Sequence, residues 1–353
     1  MRDVLGFLLA LGITVAAIPL LARSAGAWGL LAHPGARNSH EGAVPTVGGL
    51  AMGAAFLAAY ALTGLATSLS PLLAAAVVIT LVGGVFDDRH ELRSLPKFAF
   101  QIAAAVLLVL GGDALLTHLG SLMSEDVFTL GRWAAPLTVF ALVGVMNALN
   151  MADGLDGLAG GLALAACLNF AAAACLAGHP AEFTALCITL GAAAGFLFFN
   201  ARSPWRARAT VFMGDTGSLF LGLLLGWFAV RLAMAERPAL APISAVWIVA
   251  LPIGDTVTLL LRRALRGRNP FHADRQHLHH ILLALGLSNG QTVTIVVVLS
   301  FALGALALAA ESAGVPQYAM FYAYIACLLV YGCAAEMACG KLGLNSERGN
   351  TRA

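Results

Sequence analysis

Long apolar runs recur from one end of the chain to the other, at roughly 4–22, 46–64, 71–86, 97–112, 134–150, 158–177, 183–200, 216–235, 241–261, 291–310 and 317–337. About 20 apolar residues in helical form cross a bilayer. Backbone N–H and C=O groups cannot be left unpaired against lipid, so helices are the reading for runs this long. Composition agrees: 60% of residues are hydrophobic and 11% charged, against about 25% charged in a soluble domain. The expected fold is an all-α polytopic integral membrane protein with about eleven transmembrane helices, organised as a single domain over residues 1–353. Met1 to Ala22 lacks a clear small-residue cleavage site and reads as the first span rather than a removable signal. Cys167, Cys175, Cys187, Cys327, Cys333 and Cys339 lie in or beside apolar runs without metal-site spacing, so they read as packing residues. No internal repeat points to an inverted-repeat transporter.

Eleven spans put the termini on opposite sides. With the N-terminus outside and the C-terminus cytoplasmic, only Arg2, Arg132, Arg231 and Arg237 of the 20 Lys and Arg fall outside. The positive-inside bias therefore selects that orientation. It also gathers the polar loops 23–45, 87–96, 151–157, 201–215 and 262–290 on the cytoplasmic face.

The richest of these interruptions runs from Asn147 to Gly161. Asn147, Asn150, Asp153 and Asp156 fall at every third position, and Gly154 and Gly157 follow the two acids. A period of three drifts about 60° per step on a helix, so the four would not share a narrow face. The pattern predicts a helix ending near Met151 and a turn that points both acids into a shared, oxygen-rich space suited to a hard cation. The plainer alternative is a polar loop that caps the next helix.

Asp87 and Asp88 end the third span, where the helix dipole disfavours anions, so a cationic partner is expected: Arg89, Lys97 or a metal. The alternative is a solvated turn with Lys97 as a membrane anchor. Phe212-Met-Gly-Asp215-Thr-Gly-Ser218 opens the eighth span. Asp215 there is expected to cap the helix, to bind metal, or both. Phe212 is a candidate to stack on a base, though a lone Phe more often just packs. Downstream, Arg262, Arg263, Arg266 and Arg268 precede His272-Ala-Asp-Arg275-Gln-His277-Leu-His279-His280. Helical spacing would put His277 and His280 on one face. Arg275 with the histidines suggests a pyrophosphate grip; zinc is disfavoured because no Cys accompanies them. The Arg run alternatively holds anionic headgroups. Asp255, an acid inside the ninth span, is a functional candidate by position; its role stays open. Pro45-Thr-Val-Gly-Gly49 and His33 are weak signals alone.

Taken in order, these four motifs resemble the polyprenyl-phosphate N-acetylhexosamine-1-phosphate transferases. The resemblance covers the whole chain and is nearest to the branch that moves GlcNAc-1-phosphate from UDP-GlcNAc to undecaprenyl phosphate. The related peptidoglycan enzymes, which use UDP-MurNAc-pentapeptide, usually carry three consecutive His; the His-x-His-His here departs from that. The resemblance implies Mg²⁺ (or Mn²⁺) on Asp215 and Asp88, and catalytic roles for Asp87, Asp88, Asp153 and Asp156. It implies substrate binding by Lys97, Asn147, Asn150, Phe212, Arg275, His277, His279 and His280. The partners it implies are UDP-GlcNAc, undecaprenyl phosphate and membrane lipids, with no nucleic acid and with homodimerisation open. It further implies a multi-pass protein of the bacterial cytoplasmic (inner) membrane, acting at the first membrane step of cell-surface polysaccharide assembly. Rival readings are the same chemistry on another UDP-sugar (GalNAc, N-acetylfucosamine or MurNAc-pentapeptide) and, more remotely, a cation-coupled transporter.

Overall fold

The computed structural model describes residues 1–33, 42–112, 114–267 and 276–344. Every apolar run becomes a helix. The first is α1 (Arg2–Trp28), followed by a two-residue hairpin of β1 (Leu31–Ala32) and β2 (Val44–Pro45). Then come α2 (Gly48–Leu62), α3 (Pro71–His90), α4 (Ser94–Leu110), α5 (Ala134–Ala152), α6 (Leu158–Ala177), α7 (Pro180–Asn200) and α8 (Gly214–Ala233). The last third holds α9 (Pro242–Ile248), α10 (Ala250–Leu265), α11 (Leu278–Ala284), α12 (Asn289–Ser312) and α13 (Gln317–Lys341). Local chemistry sets several ends. Ser70 caps α3 by accepting from Leu72 N, with Pro71 in the first turn. Ser288 and Gln291 form a reciprocal capping box at the start of α12.

Among the described residues, eight helices are long and apolar enough to cross a membrane. The expected ninth span, 241–261, is not one helix: it breaks at Val249, and α9 and α10 meet at 84°. The helices α2 and α4 are apolar but only 15 and 17 residues long, below the usual crossing length. The six cysteines are all free; Cys167 and Cys339 are buried as packing residues, whereas Cys175, Cys327 and Cys333 are exposed.

The bundle is built around α8. Phe220, Leu224, Trp227 and Phe228 are fully buried in it, and α2, α3, α5, α6 and α9 pack on it. Lipid is as apolar as a leucine, so close contact must hold such helices together. Small residues supply that contact. A methyl group on Gly49 of α2 would stand 2.1 Å from Gly217 N, and one on Gly84 of α3 would stand 2.3 Å from Thr216 Cα. One on Gly222 would stand 2.5 Å from Met146 Cα of α5. The first turn of α8 is thereby clamped between the start of α2 and the end of α3. By contrast α1, α12 and α13 turn Leu5, Leu8, Leu20, Val298, Leu299, Leu329 and Val330 outward, as a lipid-facing rim would.

Candidate active site

The end of α3, the starts of α4 and α8 and the end of α5 come together at one end of the bundle. Asp88 is the hinge of this arrangement. Its Oδ1 accepts from Asp215 N at 2.7 Å, and its Oδ2 accepts from Thr216 N at 3.1 Å and Thr216 Oγ1 at 2.6 Å. The two backbone N–H groups are first-turn donors of α8 that lack partners within their own helix. Asp88 therefore caps α8 from another helix, and the helix dipole that disfavours it on α3 is offset by the favourable one on α8. This corrects the expectation for Asp215, which sits inside the first turn and makes no cap; Met213 holds the cap position without a side-chain bond. Gly214 precedes Asp215 at φ 67°, and a Cβ there would lie 2.4 Å from Asp88 Oδ2. Both facts call for glycine.

Freed from capping, the Asp215 carboxylate turns inward. Lys97 Nζ lies 2.6 Å from Asp215 Oδ2 and 2.6 Å from Asp87 Oδ2, so the ammonium bridges two acids. Asn150 Nδ2 donates to Asp215 Oδ1 at 2.5 Å and Ser218 Oγ at 2.9 Å. Asp87 also accepts from Leu92 N at 3.0 Å, which fixes the turn between α3 and α4. Asp153 follows α5 directly. It is exposed, and the protein packed beside it, followed by the charges of Asp215, Asp88 and Asp156, raises its carboxyl to about 7.

Four carboxylates thus share this space with one ammonium. Like charges about 4 Å apart repel by about 4 kcal/mol at an effective dielectric of about 20, so Lys97 alone leaves much of the repulsion standing. Among the described residues no three His, Cys, Asp or Glu side chains stand ready as an ion cage. The donor set nonetheless fits a hard divalent cation: the oxygens are carboxylate and amide, the net charge is negative, and the bridging ammonium already marks a cation position.

Other expected residues are placed differently. Asn147 is turned away from the acids: its Nδ2 donates to Gln101 Oε1 at 2.5 Å and Val143 O at 2.8 Å, so it ties α5 to α4. Asp156 does not share the central space with Asp153 as a free acid. It accepts from Arg202 Nε at 2.8 Å and Ala209 N at 3.2 Å, anchoring the loop that leads to Phe212. Phe212 is held by its backbone, donating to Pro45 O at 2.9 Å and accepting from Gly48 N at 3.0 Å. The weak Pro45–Gly49 signal is thereby explained as the seat of this loop. Arg275 lies outside the described residues.

His277 and His280 do not share a helical face. His277 is the residue before α11 rather than part of it, and its ring stacks on His279 with centroids 5.6 Å apart. His279 meets His280 at 4.2 Å. His277 Nδ1 contacts Asp255 Oδ2 at 2.8 Å. His279 is buried, and burial followed by the His280 and His277 rings lowers its pKa to about 3, so it is a neutral imidazole rather than a cation for phosphate. Among the described residues its Nε2 has no hydrogen-bond partner, and it presses on the turn after Asp153: a Cβ on Gly154 would stand 2.3 Å from it.

The motifs in this order and this convergence can be set beside known proteins. Residues 69–233 match the model of glycosyl transferase family 4. The chain is 30% identical over 315 residues to the undecaprenyl-phosphate alpha-N-acetylglucosaminyl 1-phosphate transferase of Escherichia coli O157:H7, covering 88% of this chain and 84% of the relative. The chain belongs to glycosyl transferase family 4. A probable undecaprenyl-phosphate N-acetylglucosaminyl 1-phosphate transferase of Bacillus subtilis is 31% identical over 314 residues, 88% of this chain and 86% of its own length. The matching family region contains Asp87, Asp88, Lys97, Asn150, Asp153, Asp156 and Asp215, and ends before the histidine cluster.

Two residues packed beside this cluster are not singled out by the sequence reading. Gln101 receives Asn147, and Asn200 accepts from Gly157 N at 2.7 Å while donating to Val211 O at 2.9 Å. Asn200 therefore couples the turn after Asp156 to the loop before Phe212. Each is a lone amide in an apolar helix, four residues after Lys97 in one case and closing Phe198-Phe199 in the other. That isolation was the signal available.

Proposed function

We propose that this chain transfers N-acetylglucosamine 1-phosphate from UDP-GlcNAc to undecaprenyl phosphate, giving undecaprenyl-diphospho-GlcNAc and UMP. The observation that carries the proposal is the meeting of Asp87, Asp88, Lys97, Asn150, Asp153 and Asp215 where four helix ends converge. One relative above is named as an undecaprenyl-phosphate N-acetylglucosaminyl 1-phosphate transferase and the other as a probable one.

In the reaction an oxygen of the lipid phosphate attacks the sugar-side phosphorus of UDP-GlcNAc, a new P–O bond forms, and UMP leaves with the electron pair. The second pKa of a phosphate monoester is about 6, so the nucleophile is already anionic and needs alignment more than deprotonation. The difficulty is bringing two anions together beside four carboxylates. Mg²⁺ (or Mn²⁺), held by Asp215 and Asp88, would supply positive charge to the phosphates in the loose transition state. Lys97 exchanges its carboxylate partners for phosphate oxygens, Asn150 fixes the Asp215 carboxylate, and Asp153 holds the open side of the site. Asp156 acts through Arg202 on the loop that presents Phe212 to the base. Arg275, His277, His279 and His280 belong to the nucleotide-sugar side.

The setting is the bacterial cytoplasmic membrane, with eleven membrane-embedded helices, the N-terminus outside and the acid end facing the cytoplasm. A soluble nucleotide-sugar and a lipid headgroup meet at that border. The supporting observation is that Arg89, Arg93 and Arg202 lie in the turns and loops around the acid end, while Arg2 and Arg231 lie at the far end. The test is purified protein with radiolabelled UDP-GlcNAc and undecaprenyl phosphate, with and without EDTA. A metal-dependent GlcNAc-diphosphate lipid with released UMP is expected. Transfer only from another UDP-sugar, or no transfer at all, would overturn the assignment.

A further inference from the structure

Asp255 lies in α10, the helix beyond the 84° break, which packs along α5 and against α13. Three donors meet its carboxylate. His277 Nδ1 lies 2.8 Å from Oδ2, Leu278 N donates to Oδ1 at 3.0 Å, and Tyr331 OH of α13 donates to Oδ1 at 2.5 Å. An ionised carboxylate only accepts, so Nδ1 of His277 carries the proton and Nε2 is left as the other ring nitrogen. The ring is thereby fixed in tautomer and in plane. Leu278 N is a first-turn donor of α11, so the same carboxylate also pins the start of that short helix.

This anchorage sets the position of His279. Its ring lies nearly parallel to His277, at 7°, and 5.6 Å away. Asp255 and His279 line one apolar cavity of about 20 Å³ with Ala152, Leu158 and Pro252. Apart from Asp255 and His279 themselves, the walls of this space are apolar and offer the imidazole no polar side chain. Among the described residues the buried Nε2 of His279 has no hydrogen-bond partner, and it faces Gly154, directly after Asp153. An unpaired buried ring nitrogen is unfavourable, and a ligand group that reaches it removes that cost.

We infer that Asp255 is a positioning residue: through His277 and the start of α11 it holds the His279 Nε2 against the Asp153–Gly154 turn, where it takes a polar group of the bound nucleotide-sugar. This rests on the transfer reaction proposed above. Tyr331 makes α13 part of the same anchorage.

The test uses the purified full chain, its Asp255→Asn and His277→Gln variants and the double variant. Two readouts are taken: amide exchange across 276–284 without substrate, and separate KM values for UDP-GlcNAc and undecaprenyl phosphate. Loss of a supporting partner of this kind costs about 10–100-fold. We expect that factor in kcat/KM for UDP-GlcNAc, carried mostly by KM, with the lipid KM unchanged and exchange across 276–284 accelerated. The double variant should be no worse than the weaker single, since both changes cut one connection. Multiplying effects, or unchanged exchange in Asp255→Asn, would overturn the inference. If Asp255→Asn does not fold, His277→Gln carries the test, because it must raise the same exchange and the same KM with Asp255 intact. Accelerated exchange in a protein that transfers no GlcNAc-1-phosphate would keep the anchorage and reject the proposed reaction.

Discussion

The two ends of the bundle treat charge in opposite ways. At the far end several ionised and polar groups are each closed off by a partner of their own. Arg231 Nε donates to Glu182 at 3.0 Å, Arg2 to Thr63 O at 2.5 Å, and Thr184 to Asp3 at 2.5 Å. Glu311 takes Ala241 N at 2.7 Å and Ser244 Oγ at 2.5 Å, capping α9 from α12. At the acid end one ammonium serves two carboxylates, and Asp153 sits among like charges. Pairing that balances is what stability alone requires. An excess of one sign, maintained by the fold, marks a place that expects a ligand of the other sign.

The largest effect that would sharpen this contrast is at Asp215. Asp215→Asn should cut transfer by roughly a thousandfold, the rate equivalent of about 4 kcal/mol, in protein that still inserts and folds. Wild-type rates with Mg²⁺ present would remove the metal assignment. Asp153→Asn should lower kcat by about two to three orders of magnitude in the same assay; a change under tenfold would make Asp153 a bystander.

The raised pKa of Asp153 gives a pH dependence. Below about 7 the free carboxyl carries a proton, which a divalent cation must displace. Apparent Mg²⁺ affinity should therefore fall as pH drops through 7, by up to about tenfold per unit, and level off above it. A flat profile between about pH 5.5 and 8 would show that Asp153 does not sense the cation.

Gly154→Ala should follow at roughly tenfold or more in kcat/KM for UDP-GlcNAc, because its methyl group displaces the His279 ring and small misplacements of this kind are costly. The smallest effect on activity is expected at the balanced end. Glu182→Gln should leave transfer within about twofold while lowering the unfolding free energy in detergent by about 1–3 kcal/mol. A large loss of activity there, with stability intact, would break the division between the two ends.

How much of this could be read from the sequence depends on the range of the interaction. Helix-forming runs are local, so all of the apolar segments were legible. The break at Val249 was less so. Pro252 removes the N–H that would bond the Ile248 carbonyl, but membrane helices tolerate proline, and the 84° angle is held by packing of α10 against α5 and α13. The acids Asp87, Asp88, Asp153 and Asp215 stood out because ionisable groups are rare in such a chain. Their individual duties were hidden. Asp88 caps α8 across 127 residues of sequence, and nothing near Asp215 announces that its cap comes from elsewhere. Asn147 and Asp156 were read with their neighbours in the period-three motif. A partner on α4 claims the one and Arg202 the other. The histidine motif suggested helical pairing, yet Asp255 draws His277 out of the helix and stacks the rings instead.

The central claim is that carboxylates from separate loops together hold one divalent ion. Titration of Mn²⁺ into the purified chain with UDP-GlcNAc present, followed by electron paramagnetic resonance, tests it without relying on turnover. One bound Mn²⁺ per chain is predicted, retained in Glu182→Gln and lost in Asp215→Asn. Equal Mn²⁺ binding by the Asp215→Asn variant would contradict the account.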